Sequence, residues 1–479
     1  MDYLVYHNIQ INPSKKEHII MLKHIYWKNW QEEHKQIFFR HIFWGIIITV
    51  FMQFSYVTGF GQDLLNKTYD SMLMRFFIKH VQKPTIPKNI RMIIFDKDSY
   101  EHSSSMGFWT PRVLLCKSII QAIRMGAKVV VVDFALDRPV PFQDENKNYI
   151  KCLAKAAQLA EEQQAVIVMP HSKKNYQTTY FNEYMDLLNK YSEVIKTGVA
   201  NVYKHQTDRM IRHFIFYEKN DNITFSIPVL ATVFYWYGRQ KGEQVLKQKA
   251  DEISNNSKSY VKIEDPSHQH KIYLYHQSSI TECMAARFVF RSSPKGLIQK
   301  LPQGGYFPES MIISANDINK SFEENGNYHP IDPSWAKNKI VLIGSYYQEI
   351  GDIHSTPIGN MPGIYLILNS IQMLISGSQI YELNLFIKIL LILPWILVAS
   401  IVFTYISGFW ATFIFIGLIY LLFSPFSTYL FIHFGIFMDF WLPVTIMGFR
   451  EYVGILEPLL IKLGRACLKI NKRFAKIIS

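Results

Sequence analysis

Apolar residues in this 479-residue chain are gathered in two places, and that distribution limits the possible folds more than any motif does. Ile42–Phe60 (IFWGIIITVFMQFSYVTGF) runs for 19 residues without a charge. A helix of that length crosses a hydrocarbon layer of about 30 Å. Leu385–Phe449 is almost wholly apolar and has room for three crossings. Residues 61–384 between them are polar enough to fold in water. A cleaved secretion signal has a short basic start, a shorter apolar region and a small-residue cleavage site. Here 41 largely polar residues come first and the apolar run ends in Val57, Thr58, Gly59 and Phe60, so it reads as an uncleaved anchor.

The first C-terminal crossing falls near Phe386–Tyr405, with Pro394 as a kink. Lys388 lies close enough to its start to reach the interface by extending its stem. Ser407–Gly408 supplies a turn into the second crossing. Two boundaries compete between the second and third. A turn at Ser424–Pro425–Phe426–Ser427 leaves Asp439 near mid-membrane, whereas a turn at His433–Asp439 pushes Arg450 into the third span. Either costs a few kcal/mol unless the charge is paired or reaches the interface, and both stay open.

Charge then sets the orientation. Residues 1–41 carry six Lys/Arg against four acids, and the tail after Phe449 carries seven against Glu451 and Glu457. Basic flanks face the cytoplasm, so both termini are expected there and the number of spans is even: one plus three. The central segment holds 37 Lys/Arg and 31 Asp/Glu, a small part of the formal net charge of +13. With no zinc-finger spacing and no basic helix with heptads, the basic bias is a matter of topology, and no nucleic-acid partner is expected. Cys116, Cys152, Cys283 and Cys467 lie far apart without a C-x-x-C pair. They read as isolated thiols, with one bridge among the first three as the alternative. Sixteen histidines give no H-E-x-x-H, and His268 and His270 sit in a polar loop, so neither metal nor cofactor is expected.

The central segment alternates apolar runs with amphipathic stretches. Strands are predicted at Ile90–Phe95, Lys128–Asp133, Ala165–Met169, Gly198–Val202, Ile211–Tyr217 and Lys339–Ile343, because short β-branched runs suit buried, partly parallel strands. Helices are predicted at Pro111–Gly126, with Pro in the first turn and Gly as its stop, and over 146–163, 226–237 and 363–376. Alternating elements imply an α/β domain with a mixed sheet and flanking helices. Residues 240–270, rich in Lys, Gln, Asn and Ser, read as an exposed insertion.

Several landmarks in order resemble the CHASE2 family of bacterial extracytoplasmic sensory domains. Thr68-Tyr69-Asp70 with Arg75 is similar to the element after the first span, and Ile93–Ser99 to the first strand with its acidic end. Gly107–Arg112 resembles the Trp/Pro/Arg helix start, and Gly126-Ala127-Lys128 with Val129–Asp133 the next strand. Gly198, Asn201, Asp208, Arg212 and Ile227-Pro228 follow in the family's order, as do Lys339–Gly344, Asp352, Thr356-Pro357 and Pro362-Gly363. The resemblance covers about residues 62–450. Family members usually have a second Trp near position 110, and a Glu and a His where Tyr365 and Ile367 stand here. They also commonly carry a kinase or cyclase output domain after the last span, whereas about 30 residues follow it in this chain.

Asp96 and Asp98 follow an apolar strand, where α/β proteins place ligand groups. The Asp-x-Asp pattern resembles the nucleophile motif of haloacid-dehalogenase-like phosphatases, but Tyr100 stands where a Thr or Val is needed. Helix or loop capping is the simpler role. Asp133, Asp137 and Asp352 are expected to join Asp96 around one end of the sheet, with Arg112 completing a polar pocket or a structural network, and Trp109 packed beside the helix start. The speculative ligand-binding set is therefore Asp96, Asp98, Trp109, Arg112, Asp133 and Asp352, with no catalytic residue. Gly344-Ser345-Tyr346-Tyr347 lacks the Lys and glycine spacing of a phosphate loop.

The expected organisation is a cytoplasmic segment 1–41, a span 42–60, a CHASE2-like domain 61–384, three spans 385–450 and a basic cytoplasmic tail 451–479. The family resemblance implies a bacterial plasma-membrane protein that senses an unknown extracytoplasmic ligand or partner. It has the lipid bilayer around it, no catalysis of its own, and a separate partner protein or a homodimer to carry its output. A structural subunit of an envelope complex and, further off, an Asp-dependent hydrolase are the alternatives.

Overall fold

The computed structural model describes residues 32–55, 88–101, 109–171, 178–200, most of 202–287, 311–320, most of 332–406 and short pieces up to 437. Two compact units divide the chain: residues 69–381, and a second made of 1–68 with 382–479.

In the second unit, α1 (Glu32–Ser55) precedes the α/β unit in the chain. The α/β unit then runs β1 (Ile90–Phe95), α2 (Lys97–Glu101), α3 (Arg112–Arg124), β2 (Val129–Asp133), α4 (Gln143–Glu162), β3 (Val166–Pro170), α5 (Thr179–Lys190) and β4 (Ile195–Gly198). Next come β5 (Val202–Lys204), β6 (Ile211–Lys219), β7 (Ile223–Phe225), α6 (Ile227–Tyr237), α7 (Arg239–Asn255), β8 (Tyr260–Glu264), β9 (Lys271–Tyr275) and β10 (Cys283–Arg287). The unit closes with β11 (Ile312–Ser314), α8 (Ala315–Lys320), β12 (Ile340–Ser345), β13 (Ile353–Thr356), β14 (Gly359–Pro362) and α9 (Gly363–Ile375). Beyond it, β15 (Tyr381–Glu382) leads to α10 (Leu385–Tyr405), and β16 (Ile436–Phe437) lies further on.

The main sheet has the order β11-β1-β12-β2-β3-β4, and every pair in it is parallel. Its strands read VVVVD, VIVMP and IVLIGS because both faces are covered. One face carries α3, α4, α5 and α8, packed on Ile93, Phe95, Val130, Val132, Ile167 and Ile343. The alternate residues meet α6 and α9: Gly344 lies so close to α9 that a Cβ there would stand 2.8 Å from Ile364 Cδ1. The expected mixed sheet is thus corrected. Its antiparallel pairs form separate ladders, β10-β6-β5 with β7 on β6, and the hairpins β8-β9 and β13-β14.

Three further expectations change. The strand predicted at Gly198–Val202 is split, because β4 ends at Gly198 and β5 starts at Val202; Gly198 is pressed against Leu230 and Ile227 of α6. The insertion predicted over 240–270 is ordered as α7, which buries Gly242, Leu246 and Ile253, and as the hairpin β8-β9, whose Val261, Ile263, Ile272 and Leu274 are buried. Cys116 of α3 and Cys152 of α4 are joined in a disulfide with Cα atoms 6.1 Å apart, so the reading of isolated thiols is wrong for this pair. Packing of α3 on α4 brings together positions that lie far apart in the sequence.

In the second unit, α1 and α10 run antiparallel: His34 stacks on Tyr405, His41 meets Phe403, and Gly45 lets Ile396 approach. The buried stripe of α10 is Ile392, Ile396, Ala399, Ser400, Phe403 and Thr404, in which both hydroxyls donate to carbonyls one turn back. Its other side exposes Leu390, Leu397, Val398 and Ile401, and α1 exposes Phe39, Phe43, Ile46 and Ile47. Among the described residues no helix is long and apolar enough to cross a membrane; side chains 48–55 and 385–389 lie outside the described ones. The extended pair Ile436–Phe437 falls within the His433–Asp439 boundary. The motif Thr68–Arg75, Asn201, Asp208, the end of the first apolar run and the basic tail lie outside the described residues.

Candidate functional site

At the carboxyl ends of the strands, the chain leaves β1 and β2 toward helices on one face, α3 and α4, and leaves β12 toward α9 on the other. A crevice opens where neighbouring strands send their connections in opposite directions. Here that position is β12, flanked by β1 and β2, with Ile94, Gly344 and Asp133 in one register row.

Asp133 is the last residue of β2 and shares the α9 face with Gly344 by the alternation of the strand. Its Oδ2 is buried and has no hydrogen-bond partner among the described residues. Burial first, and then the charge of Asp352, pushes its carboxyl up to about 8. Asp352 is held from two sides. His354 Nε2 lies 2.9 Å from its Oδ1, and its carbonyl accepts from the Gly363 amide at 3.0 Å. The carboxylate packs directly on the first residue of α9: a Cβ at Gly363 would lie 2.9 Å from Asp352 Cγ, closer than real Cβ atoms come. Glycine is needed there for approach, not for backbone conformation. Tyr100, on α2, closes the group. Its hydroxyl is buried near Ser345 and Thr110, and burial and the nearby Asp352 raise its pKa. The ring is wedged edge-on against Phe95.

Asp133 and Asp352, two of the residues expected at this edge, are therefore brought together. The others are not part of the pair. Asp96 Oδ1 accepts from the Ser99 amide at 3.0 Å and the Ser99 hydroxyl at 2.7 Å, which is the capping geometry of α2. Asp98 is exposed in the first turn of the same helix. Trp109 is exposed, at 46 % of its surface, instead of packed.

Arg112 is enclosed on the opposite face. One guanidinium nitrogen donates to Asn146 Oδ1 at 3.0 Å and another to the Arg138 carbonyl, with the Tyr180 ring 4.5 Å and the Tyr149 ring 5.7 Å away. Tyr180 donates its hydroxyl to the Leu136 carbonyl, and Glu145 accepts from the Val113 amide, capping α3 from α4. This cage, one turn from the disulfide, welds α3, α4 and α5. Asp137 acts electrostatically on Tyr180 and Tyr184 of that cage.

Tyr100, Ser345 and His354 were not singled out from sequence. Ser345 was named only within a rejected phosphate-loop pattern, and Tyr100 only as a departure from the phosphatase pattern. Among the described residues no cluster of three His, Cys, Asp or Glu is placed to hold a metal ion. Two carboxyl groups, a hydroxyl pair and a helix start make a polar crevice that favours a proton or a positively charged group, since either relieves the buried charge of Asp133.

Comparison with known families returns one match, the CHASE2 domain, over residues 45–404 of the 479. No curated protein and no solved structure matches the chain.

Proposed function

Because the chain belongs to the CHASE2 family, we propose that it is a multi-pass membrane protein whose α/β unit senses a ligand or partner outside the cytoplasm. CHASE2 domains are extracytoplasmic sensory domains of membrane proteins. The observation that carries the reading is the buried, unpartnered Asp133 Oδ2 beside an Asp352 seated on the first residue of α9. Neutralising this pair, by a proton or by a cationic ligand group, removes the repulsion between the two carboxylates. The start of α9 then relaxes. In the chain, α9 ends at Ile375 and α10 begins at Leu385, so a shift of this helix has a short covalent route to the apolar segment. Any ligand must bind the two arrangements with different affinity for such a shift to occur.

Three features support the membrane setting. The pair α1–α10 packs Gly45, Ala399, Ser400 and Thr404 among Ile392, Ile396 and Phe403, and it leaves many large apolar side chains exposed on its other sides, as helices packed in lipid do. The Cys116–Cys152 bridge suits an oxidising compartment. Basic flanks at both termini favour a cytoplasmic location for each. Output then passes to a separate protein through the basic tail, with a homodimer as the working oligomer. Trp109 favours a second reading: a large exposed aromatic on the α/β unit suits a protein contact of an envelope assembly subunit.

The test uses the full chain in lipid vesicles, with amide exchange followed in α9 as the pH is lowered from 8 to 5 and, separately, as calcium is added. A change in α9 exchange that disappears in Asp133→Asn is the expected result. An equal change in wild type and variant, or no change with either probe, contradicts the reading.

A further inference from the structure

On the opposite edge of the parallel sheet, where the strands begin, a cleft of about 560 Å³ opens between four chain reversals. It is bounded by the ends of α3, α4 and α6 and by the first turn of α7. Its lining includes Lys128, Arg239, Lys241, Gln163, Gln164 and Asn338, and no lining residue is acidic. The site lies in the α/β unit and shares no residue with the Asp133–Asp352 crevice.

The simplest account of the three cations is that they neutralise helix carboxyl ends. Lys128 Nζ does donate to the Tyr235 carbonyl in the last turn of α6, and burial lowers its pKa. Magnitudes show that this account is incomplete. Three helix C-termini contribute about −0.5 each, and the N-terminus of α7 returns about +0.5. Three cations against that sum leave roughly +2 facing the cleft. Arg239 is the clearest surplus: its Nη1 is buried and has no hydrogen-bond partner among the described residues. Lys241 makes no ion pair with a described residue, and the nearby Glu243, two residues on and so on another side of the helix, pairs with Lys196. The remaining walls are side-chain amides, which satisfy either donors or acceptors. Gln164 and Asn338, both held at φ 57°, occupy turns where glycine is the easier residue, as it is at Gly126 and Gly238.

We propose that this cleft binds a small organic or inorganic oxyanion, a phosphate or a dicarboxylate, with Arg239 and Lys241 as its principal cationic contacts and Lys128 at its floor. A half-buried arginine with one buried, unpartnered guanidinium nitrogen and a neighbouring ammonium gain charge-assisted hydrogen bonds that water in a narrow cleft provides less well. The volume admits a ligand of metabolite size and excludes a folded partner.

The experiment is calorimetric titration of the full-length protein in detergent micelles with sodium phosphate and, in a separate arm, sodium succinate. Sodium chloride at matched ionic strength is the control. Saturable binding of one of the two anions, weakened at least tenfold in Arg239→Gln and several-fold in Lys241→Gln, is expected. The thermal unfolding midpoints of the unliganded variants report whether the fold is retained; Lys241 is exposed, so its variant stays folded and remains informative. The arm that saturates identifies the oxyanion class. Absence of saturable binding in both arms up to 10 mM, on the order of a few kcal/mol of affinity, overturns the proposal. So does binding that is equal in wild type and Lys241→Gln.

Discussion

The α/β unit and the helix pair α1–α10 are built from the same apolar alphabet and place it in opposite ways. In the α/β unit Val, Ile and Leu fill the space between sheet and helices, and Trp109 alone among its described residues is a large hydrophobic left exposed. In the helix pair Gly45, Ser400 and Thr404 are buried together with Phe38, Ile392, Ile396 and Phe403, while Phe39, Phe43, Leu390, Leu397 and Ile401 stay exposed. The first arrangement minimises apolar surface in water. The second leaves apolar surface exposed, which the membrane setting proposed above would cover. On that proposal the two regions meet different solvents.

Substitutions that exchange the two logics test it, and the largest effect is expected in the sheet. Val131→Asp puts a carboxylate at the centre of β2, and a loss of about 4 kcal/mol or more, enough to unfold the unit, is expected by denaturant titration. Next comes the covalent tie between α3 and α4. Cys116→Ser, or reduction of the wild type, lowers stability by about 3–4 kcal/mol for a loop of this size. Equal midpoints with and without reductant count against the bridge. In the helix pair, Ile401→Arg costs about 2.5–3.5 kcal/mol of insertion if its face meets lipid. On a water-facing surface the same change is nearly neutral, so a glycosylation-mapping insertion assay distinguishes the two.

The smallest effect has a sign of its own. Asp133 has a folded-state pKa of about 8, above its ordinary value of 3.8. Stability from this group is therefore fully present below about pH 4 and lost as the pH rises through 8. Asp352, Tyr100 and His354 are the titratable groups that face or adjoin the pair. Asp133→Asn removes the dependence and raises stability at pH 8 by roughly 2 kcal/mol, a discounted share of the full shift. Thermal melts from pH 4 to 8 measure it; a profile unchanged by the substitution is the contrary outcome.

Much of this architecture was legible in the chain, for reasons that also explain what was missed. β1, β2, β3 and β12 were read to within a residue or two because strands buried on both faces must be continuous apolar runs. β4, with the sequence IKTG, lacks such a run and was displaced onto the following residues. The helix α7 buries only a thin stripe under many Lys and Gln, so its composition resembled an exposed loop. Asp133 and Asp352 were singled out as acidic residues around one end of the sheet, yet the partners that Arg112 takes instead were not visible. Arg112 is claimed by Asn146, Tyr149 and Tyr180, residues that only the packing of α4 and α5 brings near. The disulfide was hidden for the same reason.

The central claim is that the α/β unit stands outside the cytoplasm, on a chain whose apolar helices lie in the membrane. Lys151, exposed on α4, is a suitable reporter. In the Lys151→Cys variant, with Cys283 and Cys467 replaced by serine, intact cells stripped of any outer barrier are treated with a membrane-impermeant maleimide. Labelling at full extent before lysis is the predicted result. Protection of this position until the cells are lysed would place the unit in the cytoplasm and contradict the account.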